Sequence, residues 1–127
     1  MTIRISEELN LILNFSREEA MRTGSYGIGP DHMMLGIIRH GDNQACEILK
    51  ELGLDLQEMK QFIVSKISSD THIPFSEIDR INFSRSAHNI RSFSVLEATR
   101  LRCDEASAGH LLLALSRSTG NWSQSYL

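Results

Sequence analysis

A chain of 127 residues is long enough for one compact domain with a modest core. A net charge of −3 and a pI near 5.9 leave no basic field for nucleic acid. No apolar run approaches the roughly 20 residues that span a bilayer, and the segment Met1–Glu8 lacks the basic-then-apolar form of a signal peptide.

The apolar fraction of 41% and charged fraction of 23% are those of an ordinary soluble globular protein. Cys46 and Cys103 stand far apart without a CxxC context, so a reduced, cytoplasmic protein is expected. With two prolines, abundant helix formers and no alternating β-branched runs, the chain reads as all-α.

Helix one is predicted to start at Ser6, a good N-cap followed by the first-turn acids Glu7 and Glu8. Leu9, Ile12, Leu13, Ser16 and Ala20 form its buried stripe, and Glu18, Glu19, Arg17 and Arg22 fall largely outside it. Gly24 is the expected stop. After a turn over Ser25–Gly29, Pro30 suits the first position of helix two, where its missing N–H would be an orphan anyway. That helix should run to about His40, and it is apolar almost all round, so it should be central. Asp42 or Asn43 caps helix three, which ends at Gly53, and helix four begins near Leu56. The polar stretch from Ser68 to Pro74 reads as a connector.

The pattern then restarts. Residues 5–49 set against 83–127 without a gap give 12 identities in 45 positions, among them Ser6/Ser84, Phe15/Phe93, Glu19/Glu97, Arg22/Arg100, His32/His110, Arg39/Arg117 and Asn43/Asn121. The matches fall on caps and on the core stripe, where a duplicated fold needs them. The reading is one domain over 1–127, with repeat one at 5–68, a linker at 69–82 and a partial repeat two at 83–127. Counterparts of Leu52 through Ile67 are missing from the second copy.

The string Gly29-Pro30-Asp31-His32-Met33-Met34-Leu35-Gly36-Ile37 and its echo Ser107-Ala108-Gly109-His110-Leu111-Leu112-Leu113-Ala114-Leu115 resemble the hallmark of the Clp N-terminal repeat domain. That domain is found on ClpA- and ClpC-type AAA+ unfoldases. The resemblance covers nearly the whole chain. It implies two four-helix repeats in a pseudo-twofold bundle, here with the second C-terminally truncated. It also implies docking of protein substrates, adaptors or Clp ATPase and protease subunits. Phosphoarginine recognition is a further implication, through a helix-one cap and the carboxylate before the motif histidine. Carried over, those residues are Ser6 and Asp31; in the second copy Ser84 remains, but Gly109 replaces the carboxylate.

The physical chemistry of such a site is sound, since helix N-termini attract phosphate and a carboxylate pairs with guanidinium. The blander reading is a cap and a first-turn acid. His32 and His110 read as buried structural histidines, because no further ligands stand at metal spacing. Arg39 and Arg117 read as complements to helix C-termini. Met33 and Met34 read as core, and Glu18–Glu19 as a solvated face. No nucleotide loop or hydrolase motif is present, and no metal or cofactor is expected.

The leading expectation is therefore a non-catalytic interaction module. The absent final helix is expected to bare Leu56, Met59 and Phe62 as an interface, with self-association one way to cover it. Two alternatives remain open at this point. One is a helical ligand-binding or enzymatic domain using Asp31 and His32; the other is a decayed structural paralogue.

Overall fold

The helices form where caps and apolar stripes coincide. In a computed structural model that describes residues 3–127, α1 spans Glu7–Arg22 and the Ser6 side chain accepts from Leu9 N–H at 3.0 Å. Met1 and Thr2, part of the segment read as lacking a leader, lie outside the described residues. The elements that follow are α2 (Pro30–His40), α3 (Gln44–Glu51) and α4 (Leu56–Ile67). Asn43 rather than Asp42 caps α3, its side chain accepting from Cys46 N–H. Asp55 caps α4. A 3-10 turn over Phe75–Arg80 occupies the linker. The second copy supplies α5 (Arg85–Arg100), α6 (Ala108–Arg117) and a short α7 (Trp122–Tyr126). Ser84 and Asn121 cap α5 and α7 as Ser6 and Asn43 cap α1 and α3.

The core lies between the two copies. Met33, Met34, Leu35 and Ile37 of α2 are fully buried or nearly so, and Leu111 and Leu115 of α6 are fully buried. Both methionines therefore fill the core.

Four two-residue strands were invisible to the sequence reading. They are β1 (Arg4–Ile5), β2 (Gly27–Ile28), β3 (Asn82–Phe83) and β4 (Glu105–Ala106). β1 pairs in parallel with β4, and β2 with β3. Each pair joins the segment before the first helix of one repeat to the segment before the second helix of the other. Ser6 N–H donates to Ala106 C=O at 3.0 Å, and Ser84 N–H donates to Ile28 C=O at 2.9 Å. The repeats are thus cross-stitched at their motif loops. Strands this short carry no alternating pattern, so periodicity could not reveal them.

The turn after α1 shows where the copies diverge. Gly24 sits at φ +81°, and a Cβ there would meet Thr71 C=O and Ser69 Oγ at 2.5 Å. Its counterpart Arg102 takes the same left-handed region, at φ 58°, without glycine's freedom.

Candidate functional site

His32 anchors the motif loop of repeat one. Gly29 N–H donates to His32 Nδ1 at 2.9 Å, and Nε2 lies 3.0 Å from Thr23 Oγ1. The Thr23 hydroxyl itself donates to Glu19 C=O at 2.8 Å. Nδ1 must therefore be bare and Nε2 protonated, a neutral tautomer dictated by its neighbours. Burial pushes the His32 pKa down, against the opposing pull of Asp31 and Glu19. His32 is buried, and both of its ring nitrogens are engaged by the protein itself. His110 repeats half of the arrangement. Its Nδ1 accepts from Ser107 N–H at 2.9 Å, but Leu101 stands where Thr23 would be.

Asp31 does not join Ser6. Its Oδ1 accepts from Ser123 N–H at 2.8 Å and from the Ser123 hydroxyl at 2.6 Å, and its Oδ2 accepts from Trp122 N–H at 3.2 Å. The carboxylate is buried against α7 and caps that helix from outside, beside the cap supplied by Asn121. Ser6, because of the β1–β4 pairing, faces the second motif loop instead. It shares an open cavity with Arg4, Glu7, Glu8, Glu105 and Ser107. The expected pairing of cap and carboxylate within one repeat is corrected by the cross-stitched topology: each helix-one cap meets the motif loop of the other repeat.

The expected interface at Leu56, Met59 and Phe62 is also corrected. Met59 is fully buried, and Leu56 and Phe62 are half-buried against the core. α7 covers this face, with the Phe62 ring 6.1 Å from Trp122 and 5.2 Å from Tyr126. The short third helix of repeat two does the covering. Glu19, read as solvated, is buried and held by Arg22 through Nε at 2.7 Å and Nη2 at 3.0 Å.

An open apolar surface lies between α5 and α6. Ile90, Phe93, Leu96, Glu97, Ala114 and Arg117 contribute to a groove of about 450 Å³. Phe93 is 53% exposed and Leu96 60% exposed. Two replacements distinguish this face from its counterpart in repeat one, where Phe15 is half-buried. Gly36 lets α1 and α2 close together, since a Cβ there would meet Ser16 Oγ at 2.5 Å and Ile12 C=O at 2.6 Å; its counterpart is Ala114. In addition, Arg39 lies over the Phe15 ring at 4.6 Å and reaches Glu18 at 3.1 Å. Its counterpart Arg117 finds Leu96 in place of Glu18, binds Glu97 instead, and leaves Phe93 bare. Neither arginine acts merely as a complement to its helix end. The Gly36/Ala114 and Glu18/Leu96 differences were the signal available in the aligned copies, and the sequence reading passed over both.

The comparisons with known proteins agree with this architecture. The family model described as the Clp repeat (R) N-terminal domain matches residues 4–127. The chain belongs to the Clp N-terminal repeat family. It is 29% identical over 114 residues both to the chaperone protein ClpB of Oceanobacillus iheyensis and to the negative regulator of genetic competence ClpC/MecB of Bacillus subtilis. In each case the match takes in 90% of this chain and 14% of the relative, so the chain spans about a seventh of the length of those relatives. The N-terminal domain of the caseinolytic protease associated chaperone ClpD from Arabidopsis thaliana superposes with a TM-score of 0.74 at 17% identity, over 95% of this chain and 82% of that one. That likeness concerns the fold. No helix among the described residues is long and apolar enough to cross a membrane, and no three His, Cys, Asp or Glu side chains gather there as a metal site would.

Proposed function

We propose that this Clp N-terminal repeat domain is a non-catalytic module that holds exposed apolar segments of protein substrates or adaptors in the α5–α6 groove, for a Clp-type ATPase that acts on them. The observation that carries this reading is the pair of bare side chains, Phe93 and Leu96, over the α5–α6 groove. Apolar surface of this kind, rimmed by polar groups, marks protein contact, and aromatic anchors dominate such contacts. The relatives' names support membership of the same machinery.

The test is fluorescence anisotropy with a dye-labelled, permanently unfolded protein such as reduced and alkylated lactalbumin. Saturable binding is expected, and Phe93→Ser should weaken it about tenfold with the helical circular dichroism unchanged. Binding indifferent to Phe93→Ser overturns the groove. A phosphoarginine-bearing peptide serves as a second ligand, directed at the cavity beside Ser6. There the start of α1 and the carboxylates Glu7, Glu8 and Glu105 are candidate partners for phosphate and guanidinium. Affinity unchanged in Ser6→Ala removes that narrower reading and leaves the groove untouched.

A further inference from the structure

The one carboxylate of the groove lining is shared with an arginine outside the groove, and this sharing follows from one replacement. In repeat one the two corresponding arginines have separate carboxylates: Arg22 holds Glu19 and Arg39 holds Glu18. In repeat two Leu96 stands at the position of Glu18. Arg100 and Arg117 therefore converge on Glu97 alone, Arg100 Nη2 at 2.7 Å from one oxygen and Arg117 on the other. Two guanidinium groups share one negative charge. Glu97 is the only carboxylate among the described residues that line the groove. The Arg117 side chain remains 59% exposed on the lip, next to the bare Phe93 and Leu96.

We propose that Arg117 makes the α5–α6 groove selective for a peptide segment whose apolar side chains adjoin a carboxylate. The apolar residues of the segment cover Phe93, Leu96 and Ile90, and its carboxylate completes the unmatched guanidinium. Arg117 keeps free N–H donors while bound to Glu97, because a guanidinium carries five. A lysine at the same place in the segment meets like charge and is disfavoured. This inference rests on the groove being the protein-binding site.

The experiment compares two dye-labelled peptides by anisotropy at low salt, identical except that a Leu-Phe pair is followed by Glu in one and Gln in the other. The whole 127-residue chain is the receptor. The Glu peptide should bind about threefold to fivefold tighter, the range of an exposed ion pair. Arg117→Gln should erase the preference, so that the two peptides bind this variant with equal affinity. Leu96→Glu, which offers Arg117 the partner that Arg39 has in Glu18, should erase it as well. Equal affinities in the unaltered protein overturn the selectivity, as does a preference that survives Arg117→Gln. The groove is judged separately by Phe93→Ser. If that variant weakens both peptides while no preference exists, selectivity alone fails. If it weakens neither, or if neither peptide binds the unaltered protein, the groove itself fails.

Discussion

The helix pairs α1–α2 and α5–α6 share Ile, Phe, Ser, Glu, Ala and Arg at corresponding places, yet Phe15 is half-buried and Phe93 is bare. In the first pair the helices approach closely over Gly36, and Arg39, held by Glu18, lies across Phe15. The second pair has Ala114 and Leu96 at the places of Gly36 and Glu18. The two copies share one scaffold, and a methyl group at Ala114 together with Leu96 in place of a carboxylate changes the surface of the second, where Phe93 and Leu96 stand in water.

The comparison breaks most sharply at Gly36. Alanine there raises intrinsic helix propensity, by about 1 kcal/mol relative to glycine. Against that, its Cβ would press on the backbone oxygen of Ile12, which cannot rotate away. Overpacking of this kind costs about 1–3 kcal/mol and more where backbone must move, so the clash wins. Gly36→Ala should destabilise the domain by a net ~2 kcal/mol, read as a lower urea midpoint. A neutral or stabilising outcome would mean that α1 and α2 tolerate separation, and that their close approach does not depend on Gly36.

Asp31 gives the next largest effect, because it is where the copies differ in chemistry. Removing its carboxylate takes away the acceptor for Trp122 N–H, Ser123 N–H and the Ser123 hydroxyl. Asn121 still caps Gln124 N–H, so α7 keeps one anchor. Asp31→Ala should cost about 1–2 kcal/mol, the value of a helix cap with a charged acceptor. It should also shift Trp122 fluorescence as the ring loosens from Phe62. The opposite exchange adds a test: Gly109→Asp introduces a carboxylate at the start of α3, where a Cβ meets the Gln44 amide oxygen at 3.0 Å. No gain is expected from it unless Gln44 moves aside. An Asp31→Ala protein with unchanged stability and unchanged Trp122 emission would show that the carboxylate does not hold α7.

Asp31 also shows what the sequence could and could not convey. Helix positions were legible because caps and stripes are local: Ser6, Asn43, Ser84 and Asn121 each cap the helix they precede. Family membership was legible because the motif recurs with its histidine. The partners of Asp31 were not legible, since they lie 91 and 92 residues away and depend on which repeat faces which. The cross-stitching is carried by strand pairs two residues long, which leave no periodic trace. The burial of Met59 and the covering of Phe62 were missed for a related reason. The expected exposure was tied to the missing final helix, but Trp122 and Tyr126 of the short α7 reach that face. The groove was missed because its cause is subtractive: a glycine and a glutamate present in one copy and absent from the other.

The smallest effect separates the two histidines. Burial depresses the pKa of both, against Asp31 and Glu19 at His32 and against Glu97 at His110. A lowered folded-state pKa means that the unfolded chain binds the proton more readily, so stability rises with pH through this range. The contribution is complete above the unfolded value of about 6.5 and is lost as pH falls toward the folded value. His32 should weigh more than His110, because protonating Nδ1 sets it against the Gly29 N–H while Nε2–H is already committed to Thr23. Urea midpoints should therefore decline from pH 7 to pH 5, and His32→Gln should flatten the decline more than His110→Gln does. A histidine titration followed by NMR should place His32 below His110. An His32 that titrates at or above its unfolded value would mean that the ring accepts the second proton without disturbing the Gly29 turn, and the two motif loops would then be equivalent in the one respect where their hydrogen bonds say they differ.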